Sequence, residues 1–224
     1  MARAKKLPAQ DRRRQLIETA REVFATQSYS KAGTADIAKA AGVSEPALYR
    51  YFSTKKELFL ATLRETAPKL LELWQEIQYD VDDPLETLWS IGVHYYDHLQ
   101  SQSGNMTIQF QAVSEAADPE IREALRENFG AFVRFVSETL EDGQRRGLVR
   151  RDLDAELAAW QFLGIGLTLD LMHLLGFTVE LDRSKVEQFG RLYLETMRAP
   201  KPRSNVGPGV RAVSELAPSW PIEA

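Results

Sequence analysis

At 224 residues, with 44% hydrophobic and 27% charged side chains, the chain has the size and balance of one large or two small globular domains. It contains no cysteine, which excludes disulfides, a thiolate nucleophile and a thiolate zinc site and suits a reducing cytoplasm. The net charge of −4 hides a division, because residues 1–66 carry 13 Lys and Arg against 7 Asp and Glu while residues 67–224 carry 15 against 25. A basic first third on an acidic body points to a polyanion at the N-terminal end.

The periodicity is helical wherever there is any, so the predicted fold is all-α. Asp11–Thr26 sets Leu16, Ile17, Ala20, Val23 and Phe24 on one stripe, and Tyr29–Gly33 breaks it. Thr34 reads as an N-cap, with Asp36 in the first turn where the helix dipole favours an anion. That helix ends at Gly42, the residue type that most readily takes left-handed backbone angles. Ser44 caps the next helix, and Pro46 sits in its first turn, where no intrahelical N–H is needed. Thr54 and Glu57 form a capping box for a fourth helix, Thr54 to Ala67, with a kink expected near Pro68. Asp83-Pro84 starts a helix that runs to about Gln102, Asn105–Ala117 makes a shorter one, and Asp118-Pro119 starts another that continues to Gly143 or Gly147. Asp154–Phe177 is apolar nearly all round and must be covered on more than one face. A last helix runs from about Ser184 to Met197. Residues 199–224 hold five of the ten prolines without periodicity and read as a disordered tail. The basic N-terminus has no apolar stretch after it and does not read as a signal peptide. The longest charge-free apolar run, Leu157–Leu169, is 13 residues and falls short of a membrane span.

Ile37, Ala38, Ala41, Gly42, Val43 and Leu48 have the spacing of a helix-turn-helix. With Leu48 and Phe52 facing inward, the outer face of the second helix holds Glu45, Pro46, Tyr49 and Arg50, with Ala47 and Tyr51 at its edges. A polar face of that size fits a DNA major groove. Lys55 joins an ammonium to the free N–H groups of a helix start and suits a backbone phosphate, and Thr34 can do the same across the groove. Arg3, Lys5, Lys6, Arg12, Arg13 and Arg14 make a basic arm for backbone or minor-groove contact. On this spacing alone, an ordinary helical hairpin in a bundle is the other reading.

The stretch "TADIAKAAGVSEPALYRYFSTKKEL" resembles the DNA-binding segment of the TetR family of one-component transcriptional regulators. The likeness rests on Thr34, Ile37-Ala38, Gly42-Val43-Ser44, Leu48-Tyr49-Arg50-Tyr51-Phe52, Lys55 and Glu57-Leu58, and extends over about residues 10–65. Glu45-Pro46 departs from the Lys-Gly or Arg-Gly pair of many members and suggests an operator of its own kind, with Glu45 near a cytosine. The resemblance implies DNA contacts at Thr34, Ser44, Glu45, Pro46, Ala47, Tyr49, Tyr51 and Lys55. It also implies a homodimer through the last two helices, a near-palindromic operator, a small-molecule cavity in the body, and repression relieved by ligand. The expected division is residues 1–66 for the DNA-binding domain, 67–198 for the ligand-binding and dimerisation domain, and 199–224 for the tail. The fourth helix touches both domains and is the expected lever between them.

Within the body, the large side chains Trp89, Tyr96, Phe110 and Trp160 are the candidate cavity residues, and they favour an apolar or aromatic effector. Asp170, inside the most apolar helix, must be paired, solvated or bound. Its expected place is an interface or a helix end rather than a ligand contact. Gly164 and Gly166 suit close approach of a partner helix. His94 and His98 lie four apart without an evident third ligand, so no metal is expected. No phosphate loop or nucleophile motif supports catalysis, and no cofactor is called for. Two other readings remain open: a DNA-binding regulator controlled by a protein partner, and a helical enzyme or carrier with a vestigial DNA-binding head.

Overall fold

The computed structural model describes residues 8–100, 105–177 and 180–200, and every regular element among them is a helix. In chain order these are α1 (Ala9–Thr26), α2 (Thr34–Ala40), α3 (Glu45–Tyr49), α4 (Lys55–Arg64), α5 (Thr66–Asp80), α6 (Pro84–Gln100), α7 (Asn105–Ser114), α8 (Pro119–Arg145), α9 (Ala155–Leu174) and α10 (Arg183–Glu195). Arg3, Lys5 and Lys6 of the basic arm, and residues 201–224 of the predicted tail, lie outside the described residues.

The first four helices close over one apolar cluster. Leu16, Ile17, Ala20 and Phe24 of α1 meet Ile37 and Ala38 of α2, Leu48 of α3, and Leu58, Phe59 and Leu63 of α4. The Phe24 and Phe59 rings pack edge-on with centroids 5.1 Å apart, and Tyr29 lies against Phe59 at 4.4 Å. The same cluster takes in Ile108 and Ala112 of α7 and Ile121, Ala124 and Leu125 of α8, so the head is bound to the body by core packing. A second cluster joins α5, α6, the rest of α8, the start of α9 and the end of α10, with Trp74 against Phe132 at 5.1 Å.

Several caps form as the residues predict. Asp118 accepts from the N–H groups of Glu120 and Ile121, Asp83 from those of Leu85 and Glu86, and Asp154 from that of Leu157. Others differ. Gly33, not Thr34, is the N-cap of α2, and Thr34 is the first helical residue. Ser44 occupies the N-cap position of α3 without a side-chain cap bond. Thr54 accepts from Glu57 N–H, but Glu57 reaches back to the N–H and hydroxyl of Ser53, one residue before the cap. Helix α3, the predicted reading helix, spans five residues, followed by a turn at Arg50 and Tyr51, and is shorter than the two turns expected.

The predicted fourth helix is also two helices. The chain turns at Glu65, and α5 starts at Thr66 with Pro68 in its first turn, where a missing N–H costs nothing. Proline therefore starts a helix here too, and does not kink one. At the opposite end of the body α9 is apolar and 20 residues long, and is the one described helix that could cross a membrane by length and composition. In this fold its inner side packs on α8 and lines a cavity, which gives its apolar residues a role without lipid.

The turn between α2 and α3 depends on Gly42. Its φ is +67°, and Val43 N–H reaches back to Ala38 C=O while Gly42 N–H reaches Lys39 C=O. A Cβ at Gly42 would meet nothing within 4 Å, so backbone strain alone decides what the site accepts. Gly42→Ala is expected to lower stability by about 1–2 kcal/mol, with a smaller loss for Gly42→Asn, measured by urea unfolding.

Candidate functional site

Two sites emerge, one on the head and one in the body. On the head, burial of Leu48 and Phe52 turns the opposite face of α3 outward. Tyr49 is 45% exposed, Ser44, Pro46 and Arg50 are exposed, and Glu45, Ala47 and Tyr51 are half-buried. Tyr51 packs against the head cluster rather than standing on the face. Arg13 of α1 stacks its guanidinium over Phe52 at 4.8 Å and so brings a cation beside the reading helix.

Three side chains of this face hold one another. The Thr34 hydroxyl donates to the Glu45 carboxylate and lies 3.2 Å from the Tyr49 hydroxyl. Its one proton is used on Glu45, so Tyr49 is the donor in the second bond. Glu45 is thus tethered to the start of α2 by one carboxylate oxygen. Lys55 departs further from expectation. Its ammonium donates to the carbonyls of Tyr29 at 2.8 Å and Ala32 at 3.2 Å, and stands over the Tyr29 ring. It fastens the α1–α2 connection with two of its three donors.

The body encloses a partly open cavity of about 790 Å³ between α5, α6, α7, α8, α9 and α10. Its wall is overwhelmingly apolar, with Trp74, Trp89, Phe129, Phe132, Phe162 and Phe189 among the lining residues. Of the four predicted cavity residues only Trp89 is in the wall. Tyr96 is buried elsewhere, its hydroxyl donating to Leu181 C=O at 2.9 Å. Phe110 lies on α7 away from the lining, and Trp160 points outward, 49% exposed. Adjacent tyrosines on a helix differ by about 100°, and the sequence could not say which one faces inward. It is Tyr95. Gly164 and Gly166 also line the cavity; a Cβ at Gly164 would meet nothing within 4 Å, and one at Gly166 would lie 3.9 Å from the Tyr95 ring.

Asp170 is the residue the sequence placed elsewhere. It is 1% exposed and faces the cavity from α9, its Oδ1 accepting the Tyr95 hydroxyl at 2.6 Å. Burial raises its carboxyl from 3.8 to about 7, and the Tyr95 hydrogen bond offsets only part of that. Burial, together with the Asp170 charge, holds the Tyr95 hydroxyl well above the usual phenol range. His94 bonds to Ser90 C=O through Nδ1, and no group of three metal-ligating side chains occurs among the described residues.

Head and body are joined by polar contacts that no periodicity announced. Lys56 at the start of α4 pairs with Asp118 at 3.1 Å and Glu120 at 2.6 Å. Gln111 of α7 donates to Phe24 C=O and accepts from Tyr29 N–H. Asn128 of α8, 3% exposed, donates to Leu63 C=O in the last turn of α4 at 2.8 Å. Thus α4 touches the body, as expected, through α8, while α7 holds α1 and the α1–α2 connection.

The family model described as "Bacterial regulatory proteins, tetR family" matches residues 16–62. The chain is 30% identical over 162 residues to an Escherichia coli (strain K12) protein described as a probable acrEF/envCD operon repressor, covering 70% of this chain and 73% of that one. It is 29% identical over 165 residues to the HTH-type transcriptional activator FasR of Mycolicibacterium smegmatis, covering 74% and 71%. Among solved structures, the transcriptional regulator FadR from Bacillus subtilis in complex with stearoyl-CoA superposes with a TM-score of 0.68 at 23% identity, over 81% of this chain and 95% of that one.

Asp170 has a measurable consequence for folding. Its folded-state carboxyl binds a proton more tightly than the unfolded chain does, so its stabilising share is complete below about pH 4 and is lost as pH rises through about 7. Stability relative to Asp170→Asn is expected to fall across that window by up to about 4 kcal/mol and then level off. Urea unfolding of both proteins between pH 4 and 8 checks it; parallel curves would show that Asp170 titrates normally.

Proposed function

This chain belongs to the TetR family of bacterial transcriptional regulators, and from that premise we propose that it is a ligand-controlled repressor that binds a near-palindromic operator as a homodimer. The observation that carries the reading is the pairing of an exposed α3 face with an apolar cavity in the body, joined through α8. In this reading Tyr49, Pro46 and Arg50 meet base edges and flanking phosphates. Ser44, Ala47 and the free Lys55 donor settle the head on the backbone. Thr34 and Glu45 hold the start of α3 in place until DNA competes for them. Operator and protein meet in the cytoplasm.

Dimerisation through α9 and α10 is supported by their outer faces. Leu157, Trp160, Leu171 and Leu174 of α9 and Leu192 of α10 are exposed apolar residues on the two helices, an excess that a monomer in water rarely carries. A second subunit laid across them would bury that surface and bring two heads to roughly 34–36 Å, one turn of DNA apart.

Control would run from cavity to head along α8. Phe129 and Phe132 line the cavity, and their neighbour Asn128 grips α4. A ligand that rotates or shifts α8 therefore drags the end of α4 and re-spaces the heads, and a coupling of about 1–3 kcal/mol suffices. A small apolar-bodied molecule suits the wall, and the size is within the usual range for such sites. The FadR complex makes acyl-CoA one ligand class to test.

Arg50→Ala is expected to weaken operator binding about tenfold and to lower the slope of log affinity against log salt by about one. Fluorescence anisotropy with a labelled operator over a salt series reads both, and unchanged binding by Arg50→Ala and Tyr49→Ala would remove α3 from the interface. Trp160→Glu combined with Leu171→Glu is expected to leave a folded monomer with greatly reduced operator affinity. Light scattering after gel filtration checks the first part; a persistent dimer would place the interface elsewhere.

A further inference from the structure

Few polar side chains interrupt the cavity wall, among them Thr66, Tyr95, Gln109, Gln161, Thr168 and Asp170. Among the described residues, Asp170 is the only acidic residue in the lining, and the lining contains no Lys, Arg or His. Its Oδ1 is used by Tyr95, while its Oδ2 has no hydrogen-bond partner. Gln109, 2% exposed on the same wall, likewise leaves its Oε1 without one. Arg191, which stacks on the far-reaching Trp89 ring at 3.8 Å, is paired with Glu86 and does not line the cavity. Asp170 is buried within a single chain, so a second subunit covering the outer face of α9 would not reach it.

A buried acceptor left unpaired costs free energy, and a buried carboxylate costs most. If the Tyr95–Asp170 bond were only a staple between α6 and α9, a neutral side chain at 170 could serve as well. A carboxylate with one oxygen spare in the wall of a largely apolar cavity instead suits a ligand that brings a donor.

We propose that the effector is an apolar-bodied amine whose ammonium group sits against Oδ2 of Asp170, with its body among the aromatic residues of α5, α6 and α8. The assignment rests on the reading of this cavity as the effector site. An ammonium–carboxylate hydrogen bond is roughly twice as strong as a neutral one, and the surrounding apolar wall keeps it from being screened. A carboxylate or phosphate head would face Asp170 with no lining cation to offset the repulsion. The raised carboxyl agrees with this: the free site resists ionisation, and a cation at Oδ2 would restore it.

The test uses three heads on one body: decylamine, 1-decanol and decanoate, with stearoyl-CoA as a fourth probe. Each is titrated below its aggregation limit into the full-length protein at neutral pH, followed by calorimetry and by the fluorescence of Trp74 and Trp89. Decylamine is expected to bind at least about tenfold more tightly than decanol, with decanoate weakest. Asp170→Asn should remove that tenfold preference and leave decanol within about twofold. Equal or tighter binding of decanoate or stearoyl-CoA, an amine preference that survives Asp170→Asn, or no binding by decylamine each overturns the proposal. Operator anisotropy run alongside separates it from the regulatory reading. Decylamine binding without any change in operator affinity upholds the head-group assignment and defeats effector control, whereas operator release by stearoyl-CoA alone does the reverse.

Discussion

Phe129 packs against both hydrophobic clusters and also lines the cavity, and its neighbour Asn128 donates into the last turn of α4. The constraint behind this is the buried end of α4. The final carbonyls of a helix lack intrahelical partners, and a break between two helices that is closed off from water must satisfy them from outside. Asn128 does so for Leu63. With 27 residues, α8 is about 40 Å long, enough to serve the head at one end and the α9 connection at the other. Head, cavity and α9 are therefore arranged around a single rod whose polar grip on α4 is fixed by desolvation.

The head owes its shape to groups that would each have been assigned to DNA. Lys55 closes the α1–α2 connection, and Thr34, Glu45 and Tyr49 are bonded among themselves. Such bonds are modest singly, and those at the surface contribute little to stability. Their effect is to preset the direction of α3, so that a helix of five residues keeps a defined orientation. A reading head ordered beforehand loses less conformational entropy on meeting its partner.

The most apolar helix of the chain divides its surface between two tasks. One side of α9 faces the cavity with two glycines and Asp170, and the other presents Leu157, Trp160 and Leu171 to the outside. Neither side is core in the usual sense, which is why a helix so apolar has only four buried residues, Ala155, Ala158, Ala159 and Asp170. A single carboxylate amid so much hydrocarbon is costly, and its orientation toward the cavity concentrates that cost where a ligand can relieve it.

The local pattern of residues was enough for the all-helical class, the positions of most helices and the outward face of α3. Gly42, Pro46 and the Asp-Pro starts act through neighbours a few positions away, and Leu48 and Phe52 by facing inward left Tyr49 facing out. The break at Glu65 was legible only as a proline of uncertain effect, since a first-turn proline and a kinking one look alike until the preceding residue's backbone is known. What tertiary structure alone decided was which side of a uniformly apolar helix is inside. Periodicity cannot orient a helix with no polar face, so Asp170 and Gly166 of α9 could equally have faced an interface, and on α6 the adjacent Tyr95 and Tyr96 could not be told apart. The Lys56 and Asn128 contacts, 62 and 65 residues from their partners, likewise depend on chain packing that no local pattern encodes.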